Sequence, residues 1–138
     1  MEISQEPQQK LARLALQYQL GLILLFGSAV TGIKHPHSDM DIAVLRRGSE
    51  LGYQEYSELV HDLHDIFPDQ EIDLSLINHA DPLFLKKIME NCQILYGDSS
   101  KLQSLKLYAF KRYQDHKRYF EMERVYADRF LKEIATQK

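Results

Sequence analysis

Seven residues, Leu20 to Phe26 (LGLILLF), form an almost unbroken apolar run. The run is far short of the roughly 20 residues that cross a bilayer, and its length suits a strand buried on both faces of a sheet. Phe26 delivers the chain to an edge of the core. Gly27 follows, where the missing Cβ permits a tight turn and close approach of backbone to a ligand. Ser28 is placed to cap a short helix, expected over residues 28 to about 32, and offers a hydroxyl to phosphate oxygens; free amides at such a helix start favour an anion. The loop from Gly32 to Ser38 carries Gly and Pro punctuation and holds Lys34, His35 and His37, which can reach a triphosphate or stand as ordinary exposed cations.

Ten residues separate Ser28 from Asp39-Met40-Asp41, which opens a strand expected to run to about Leu45. With a period of two, Asp39, Asp41 and Ala43 point to one side of that strand and Met40, Ile42 and Val44 to the other, so both carboxylates aim at one spot. Two like charges so close call for a cation. Magnesium suits them, being a hard ion bound by one or two carboxylates together with substrate phosphates, and a pair of ions can serve both the attacking and the leaving oxygen. Glu71 to Leu76 (EIDLSL) alternates again, with Glu71, Asp73 and Ser75 on the polar side. A strand there, paired beside the first, brings Asp73 toward Asp39 and Asp41 as a third metal ligand and a general base. The plain alternative is an ordinary Gly-Ser turn, a loop-capping Asp39, and solvated Asp41 and Asp73.

Phe26-Gly27-Ser28-Ala29-Val30, followed by Ser38-Asp39-Met40-Asp41-Ile42-Ala43-Val44, resembles the signature of the DNA polymerase beta-like nucleotidyltransferases, most of all the minimal nucleotidyltransferase (MNT) proteins. The resemblance covers about residues 10 to 97. It implies a minimal nucleotidyltransferase core, in which Gly27 and Ser28 hold the triphosphate of ATP while Asp39, Asp41 and Asp73 bind two magnesium ions. Many such proteins are antitoxins encoded beside HEPN-domain ribonuclease toxins and transfer AMP from ATP to a tyrosine of the toxin, silencing it. The resemblance therefore implies a protein adenylyltransferase (AMPylator) and a HEPN toxin as partner in a hetero-oligomer. Three other functions stay open: a small-molecule nucleotidyltransferase of the aminoglycoside-modifying type, an antitoxin that acts by binding alone, and an RNA-binding module resting on the basic tail.

Composition narrows the classes. At 138 residues the chain makes one domain with a real core and no room for a template-binding domain. A formal net charge of −3 argues against general nucleic-acid binding. The charge is uneven: residues 1–100 hold 7 Lys and Arg against 15 Asp and Glu, while residues 101–138 hold 10 against 5. A basic tail on an acidic body points to self-neutralising packing or to an acidic partner. The single Cys92 excludes an internal disulfide and fits a reducing interior, and the first ten residues carry no secretory pattern, so a soluble cytoplasmic protein without membrane contact is expected.

Helical spacing predicts helices over about 5–19 and 50–67, the second closed by Pro68. Asp81-Pro82 has the form of a helix start, and Gln93 to Tyr96 forms a last strand before Gly97. The expected fold is α/β, a mixed β-sheet flanked by helices, with residues 1–98 as the nucleotidyltransferase core and 99–138 as a helical C-terminal extension. No Gly or Pro interrupts residues 99–136, which allows one long helix or a helix pair. Leu102, Leu105, Ala109, His116, Phe120, Phe130 and Ile134 can share one face of it, and Tyr108, Tyr113, Tyr119, Met122 and Tyr126 add further aromatic surface, suited either to folding back on the sheet or to docking a protein. Arg46 and Arg47 are expected as solvated strand-end cations or phosphate contacts. His61 and His64, with Asp62 and Asp65, are expected as surface residues, since i, i+3 spacing without a third ligand makes a poor metal site.

Overall fold

The computed structural model describes residues 3–27, 30 and 39–137. Four strands, β1 (Leu20–Phe26), β2 (Asp39–Arg46), β3 (Glu71–Leu76) and β4 (Cys92–Tyr96), make one sheet in the spatial order β3-β2-β1-β4. β1 is antiparallel to both β2 and β4, whereas β2 and β3 are parallel, so the sheet is mixed. Helices α1 (Gln5–Tyr18), α2 (Tyr53–Ile66), α3 (Pro82–Glu90) and α4 (Ser99–Thr136) flank it. No helix among the described residues is both long and apolar enough to cross a membrane.

β1 lies inside the sheet, and Leu20 to Leu25 are all buried, as a strand covered on both faces requires. Ile23 and Leu25 pack with Leu11, Leu14 and Ala15 of α1 and Leu59 and Leu63 of α2. Leu22 and Leu24 point the other way, against Leu85, Ile88 and Met89 of α3 and Leu105 and Ala109 of α4. Leu24 has no exposed surface, so Leu24→Ala is expected to lower stability by about 2–5 kcal/mol, read as a shift in the denaturant midpoint. A loss below about 1 kcal/mol would mean that this layer is not close-packed.

The element boundaries follow local chemistry. α1 stops at Tyr18, one residue earlier than its periodicity suggests, because Gln19 turns left-handed (φ 57°) and its carbonyl already accepts from the Arg47 amide at 2.9 Å. α2 begins at Tyr53, after Gly52 rather than at residue 50. α3 starts as expected: the Asp81 carboxylate accepts from the Phe84 amide at 2.8 Å, with Pro82 in the first turn. α4 is capped by Asp98, whose side chain accepts from the Ser100 amide at 3.1 Å and its hydroxyl at 2.9 Å. These bonds favour the ionised form and hold the Asp98 carboxyl below its ordinary value.

The C-terminal segment is one continuous helix and not a hairpin. Its first turns pack on the sheet and on α3, with Leu105 and Ala109 buried, and the Arg112 guanidinium donates to the Ala80 carbonyl at 2.8 Å. Arg112 is thereby used in holding the fold. From Glu121 to Gln137 every residue is exposed, so the distal half neither folds back on the sheet nor pairs with another part of the described chain.

Candidate active site

Asp39 and Asp41 stand at the start of β2, and the antiparallel register sets Asp41 opposite Phe26, the last residue of β1. Parallel pairing with β3 puts Asp39 beside Glu71 and Asp41 beside Asp73. Adjacent strands lie about 4.8 Å apart, so the carboxylates of Asp41 and Asp73 are neighbours on one sheet face. Ala43 belongs to the cluster under α3 and α4, whereas Met40, Ile42 and Val44 belong to the cluster under α1 and α2. The acids therefore lie on the α3/α4 side of the sheet, at the end where β1 stops, β2 and β3 begin, and no apolar residue covers Asp39 or Asp73, both exposed.

Asp41 is the half-buried member. Burial, followed by the negative charges of Asp73 and Asp39 and a hydrogen bond with Asp73, raises its carboxyl above the ordinary value of 3.8. The folded state thus keeps that proton to higher pH than the unfolded chain. Stability from this group is fully present below the ordinary carboxylate range and is lost as pH rises through the raised folded value. In cation-free buffer at neutral pH, Asp41→Asn is expected to melt above the parent protein and to lack that acid-side component, with both compared by thermal unfolding across pH. A lower melting temperature for the variant at neutral pH would contradict like-charge crowding at this spot.

Gly27 makes the turn directly beside these acids. Its φ is +79°, and a Cβ built there would collide with Oδ2 of Asp41 and lie 3.2 Å from its Cγ. The Gly27 carbonyl accepts from the Val30 amide at 3.2 Å. Ser28, together with Lys34, His35 and His37, lies outside the described residues.

Behind β3, Tyr56 of α2 donates its hydroxyl to the Leu74 carbonyl at 2.6 Å. Burial, and then the nearby charge of Asp73, raise its phenol above the ordinary value. The sequence holds no signal for this contact, which depends on α2 crossing under β3. The two arginines after the acidic strand sit elsewhere than expected. β2 runs away from the acids, so Arg46 is five steps from Asp41, about 17 Å along the strand. Its side chain is only 11% exposed and pairs with Glu55 at 3.1 Å, while Asn78 brackets its backbone, accepting from the amide at 2.9 Å and donating to the carbonyl at 3.0 Å. Arg46 is a structural cation, neither solvated nor near phosphate; Arg47 is exposed. His61 and His64 are exposed, as expected, with His61 3.9 Å from Asp65. Asp62 differs from the expectation, because it accepts from the Tyr18 hydroxyl at 2.7 Å and ties α1 to α2.

Among the described residues, which include Asp39, Asp41 and Asp73, no group of three His, Cys, Asp or Glu side chains is placed to hold a metal ion. The donor chemistry nevertheless fits magnesium. Hard carboxylate oxygens are crowded enough to raise the Asp41 carboxyl above its ordinary value, and this ion habitually completes its shell from water and substrate phosphates and not from a protein cage.

A turn glycine against a pair of strand carboxylates, on a mixed sheet flanked by helices, is matched by the family model described as polymerase beta, nucleotidyltransferase, over residues 9–101. The chain belongs to this family. Among solved structures, this nucleotidyltransferase is similar to a toxin-antitoxin with AMP-PNP, at 26% identity and a TM-score of 0.72, over 89% of this chain and 98% of the other. A toxin-antitoxin MntA-HpeT mutant matches at 24% identity and a TM-score of 0.71, over 89% and 98% of the two chains. The tri-AMPylated Shewanella oneidensis HEPN toxin in complex with MNT antitoxin matches at 23% identity and a TM-score of 0.68, over 93% and 99%. The last two likenesses speak for the fold. No curated protein matches this nucleotidyltransferase.

Proposed function

We propose that this nucleotidyltransferase is a cytoplasmic antitoxin that transfers AMP from ATP to a tyrosine hydroxyl of a cognate HEPN ribonuclease toxin and so neutralises it. The observation that carries the reading is the side-by-side register of Asp41 and Asp73 next to the Gly27 turn, in a chain of the polymerase beta nucleotidyltransferase family. Support for the nucleotide comes from the AMP-PNP bound by the 26%-identical toxin-antitoxin, and support for a HEPN protein acceptor from the tri-AMPylated toxin in the Shewanella oneidensis complex.

In this reading Gly27 and Ser28 would receive the triphosphate, with no side chain at residue 27 in the way. Asp39, Asp41 and Asp73 would hold two magnesium ions, whose positive charge would offset that of the triphosphate and the leaving pyrophosphate. Asp73, exposed at the strand edge, takes the proton of the acceptor hydroxyl. The acceptor oxygen then forms its bond to the α-phosphorus as the bond to the pyrophosphate oxygen breaks, leaving AMP on the tyrosine. Most of the acceleration comes from fixed positions and fixed charge, as in other phosphoryl transfers.

The test is incubation of the full chain with ATP, magnesium and the HEPN-type protein encoded beside it, followed by mass spectrometry of both proteins. AMP-sized increments on a tyrosine of the partner, with loss of its RNase activity, are expected. Neutralisation without any increment would replace catalysis by simple binding, and labelling of an aminoglycoside in preference to protein would move the acceptor class.

A further inference from the structure

Ten of the thirteen large apolar side chains that stand exposed among the described residues lie on α4. Tyr119 (70% exposed), Met122 (68%), Tyr126 (71%), Phe130 (50%) and Ile134 (50%) recur every three or four residues and form one stripe along the distal half, where nothing in the described chain covers them. Tyr126 and Phe130 already stack, with ring centroids 6.4 Å apart. An exposed stripe of five large apolar side chains, three of them aromatic, is the surface of an interface and not of a solvated face.

The charge along the helix says what kind of surface fits. Residues 101–118 hold six Lys and Arg, five of them besides the Arg112 that is bonded to the Ala80 carbonyl, against the single acid Asp115, while residues 119–137 hold three cations against four acids. A parallel second copy would set two strongly basic segments against each other, and an antiparallel copy would face each basic segment with a near-neutral one, so self-pairing gains no complementary charge. The body of the same chain is acidic, yet the distal helix leaves it. We infer that α4 is the docking arm for the protein that accepts the nucleotide, a partner with an apolar groove for the Tyr119–Ile134 stripe and an acidic rim for the basic first half. This rests on the transferase reading and adds where the acceptor protein is held. Binding by a helix laid in a groove reads out such i, i+3, i+4 anchors, and distance from the acids is no obstacle, because binding energy at a remote surface serves to present the acceptor hydroxyl.

The experiment uses the full chain with a photo-crosslinking residue at position 126 or, as a control, at Tyr53, which is 88% exposed on α2. Each form is mixed with cell extract, magnesium and α-labelled ATP. The protein captured through position 126, and not through position 53, is expected to be the protein that carries the label, with capture weakening as salt is raised. In parallel, Tyr126→Glu with Phe130→Glu is expected to raise KM for the acceptor roughly tenfold or more while ATP binding, measured by titration calorimetry, stays unchanged; both positions are solvent-exposed and the core is untouched. Labelling undiminished in that variant, or crosslinking of position 126 only to a second copy, overturns the docking arm and leaves the transferase reading standing. Absence of any labelled protein with the parent chain overturns the transferase reading itself, and the acceptor arm with it.

Discussion

Changing Asp39 and Asp41 together to Asn is expected to abolish nucleotidyl transfer while leaving a folded protein. Asp39 is exposed and Asp41 half-buried, neither belongs to the two apolar clusters, and Asn keeps their volume. The core on both faces of β1 is therefore untouched. What disappears is the negative charge that the site concentrates: burial and the charges of Asp73 and Asp39 make Asp41 costly to ionise in the absence of a cation, and that cost is what a bound divalent ion relieves. Losing a single preorganised charge contact costs an active site on the order of 10²–10³ in rate, so losing two should leave no transfer from α-labelled ATP above background. Circular dichroism should be unchanged, and thermal stability in chelator equal to or above that of the parent. Magnesium should raise the melting temperature of the parent and not of the variant. Transfer within tenfold of the parent would reject the role given to these aspartates.

Gly27→Ala should be nearly as damaging, for a different reason. At φ +79° a residue with a Cβ is strained by roughly 1–2 kcal/mol. The added methyl also has nowhere to go, because Oδ2 of Asp41 occupies its position. Either the turn shifts, moving the amides that would face phosphate, or the Asp41 carboxylate swings away from Asp73. Transfer should fall by about 10²-fold or more, since an error of about 1 Å in positioning has that order of effect, while the chemical-denaturation midpoint drops only modestly. The two readouts separate a local fault from unfolding. A variant as active as the parent would mean that the close contact between residue 27 and Asp41 plays no part in the reaction.

Much of the layout was legible because it rests on short-range patterns. LGLILLF is apolar at every position but one, so a strand covered on both faces was its natural state. EIDLSL alternates, and Asp81-Pro82 carries helix-start chemistry that the structure reproduces in the bond from the Phe84 amide to the Asp81 carboxylate. The period of two also put Asp39 and Asp41 on a common face, borne out by the division of β2 between the two core clusters. Arg46 was misjudged as solvated or phosphate-facing, because sequence adjacency to Asp41 hides the direction of the strand. Five extended residues carry it to the far end of the sheet, where Glu55 and Asn78, 9 and 32 residues away, receive it. Asp62 was misjudged in the same way, its partner Tyr18 being 44 residues distant.

The amino-acid pattern by itself determined which segments are strands and helices and which side of each strand is polar, since these depend on residues within one turn or one pleat of each other; that residue 27 must be free of a side chain came from the pairing of β1 with β2, which sets Asp41 against it. Whether β3 lies beside β2, and in the register that sets Asp73 against Asp41, was decided only in three dimensions, because strand pairing is chosen by the packing of α1, α2 and α3 on the two faces of the sheet. The same holds for α4: its composition permitted a hairpin, and in the folded chain Leu105 and Ala109 pack with α3 and β1 while the helix continues unbroken, with every residue from Glu121 to Gln137 exposed.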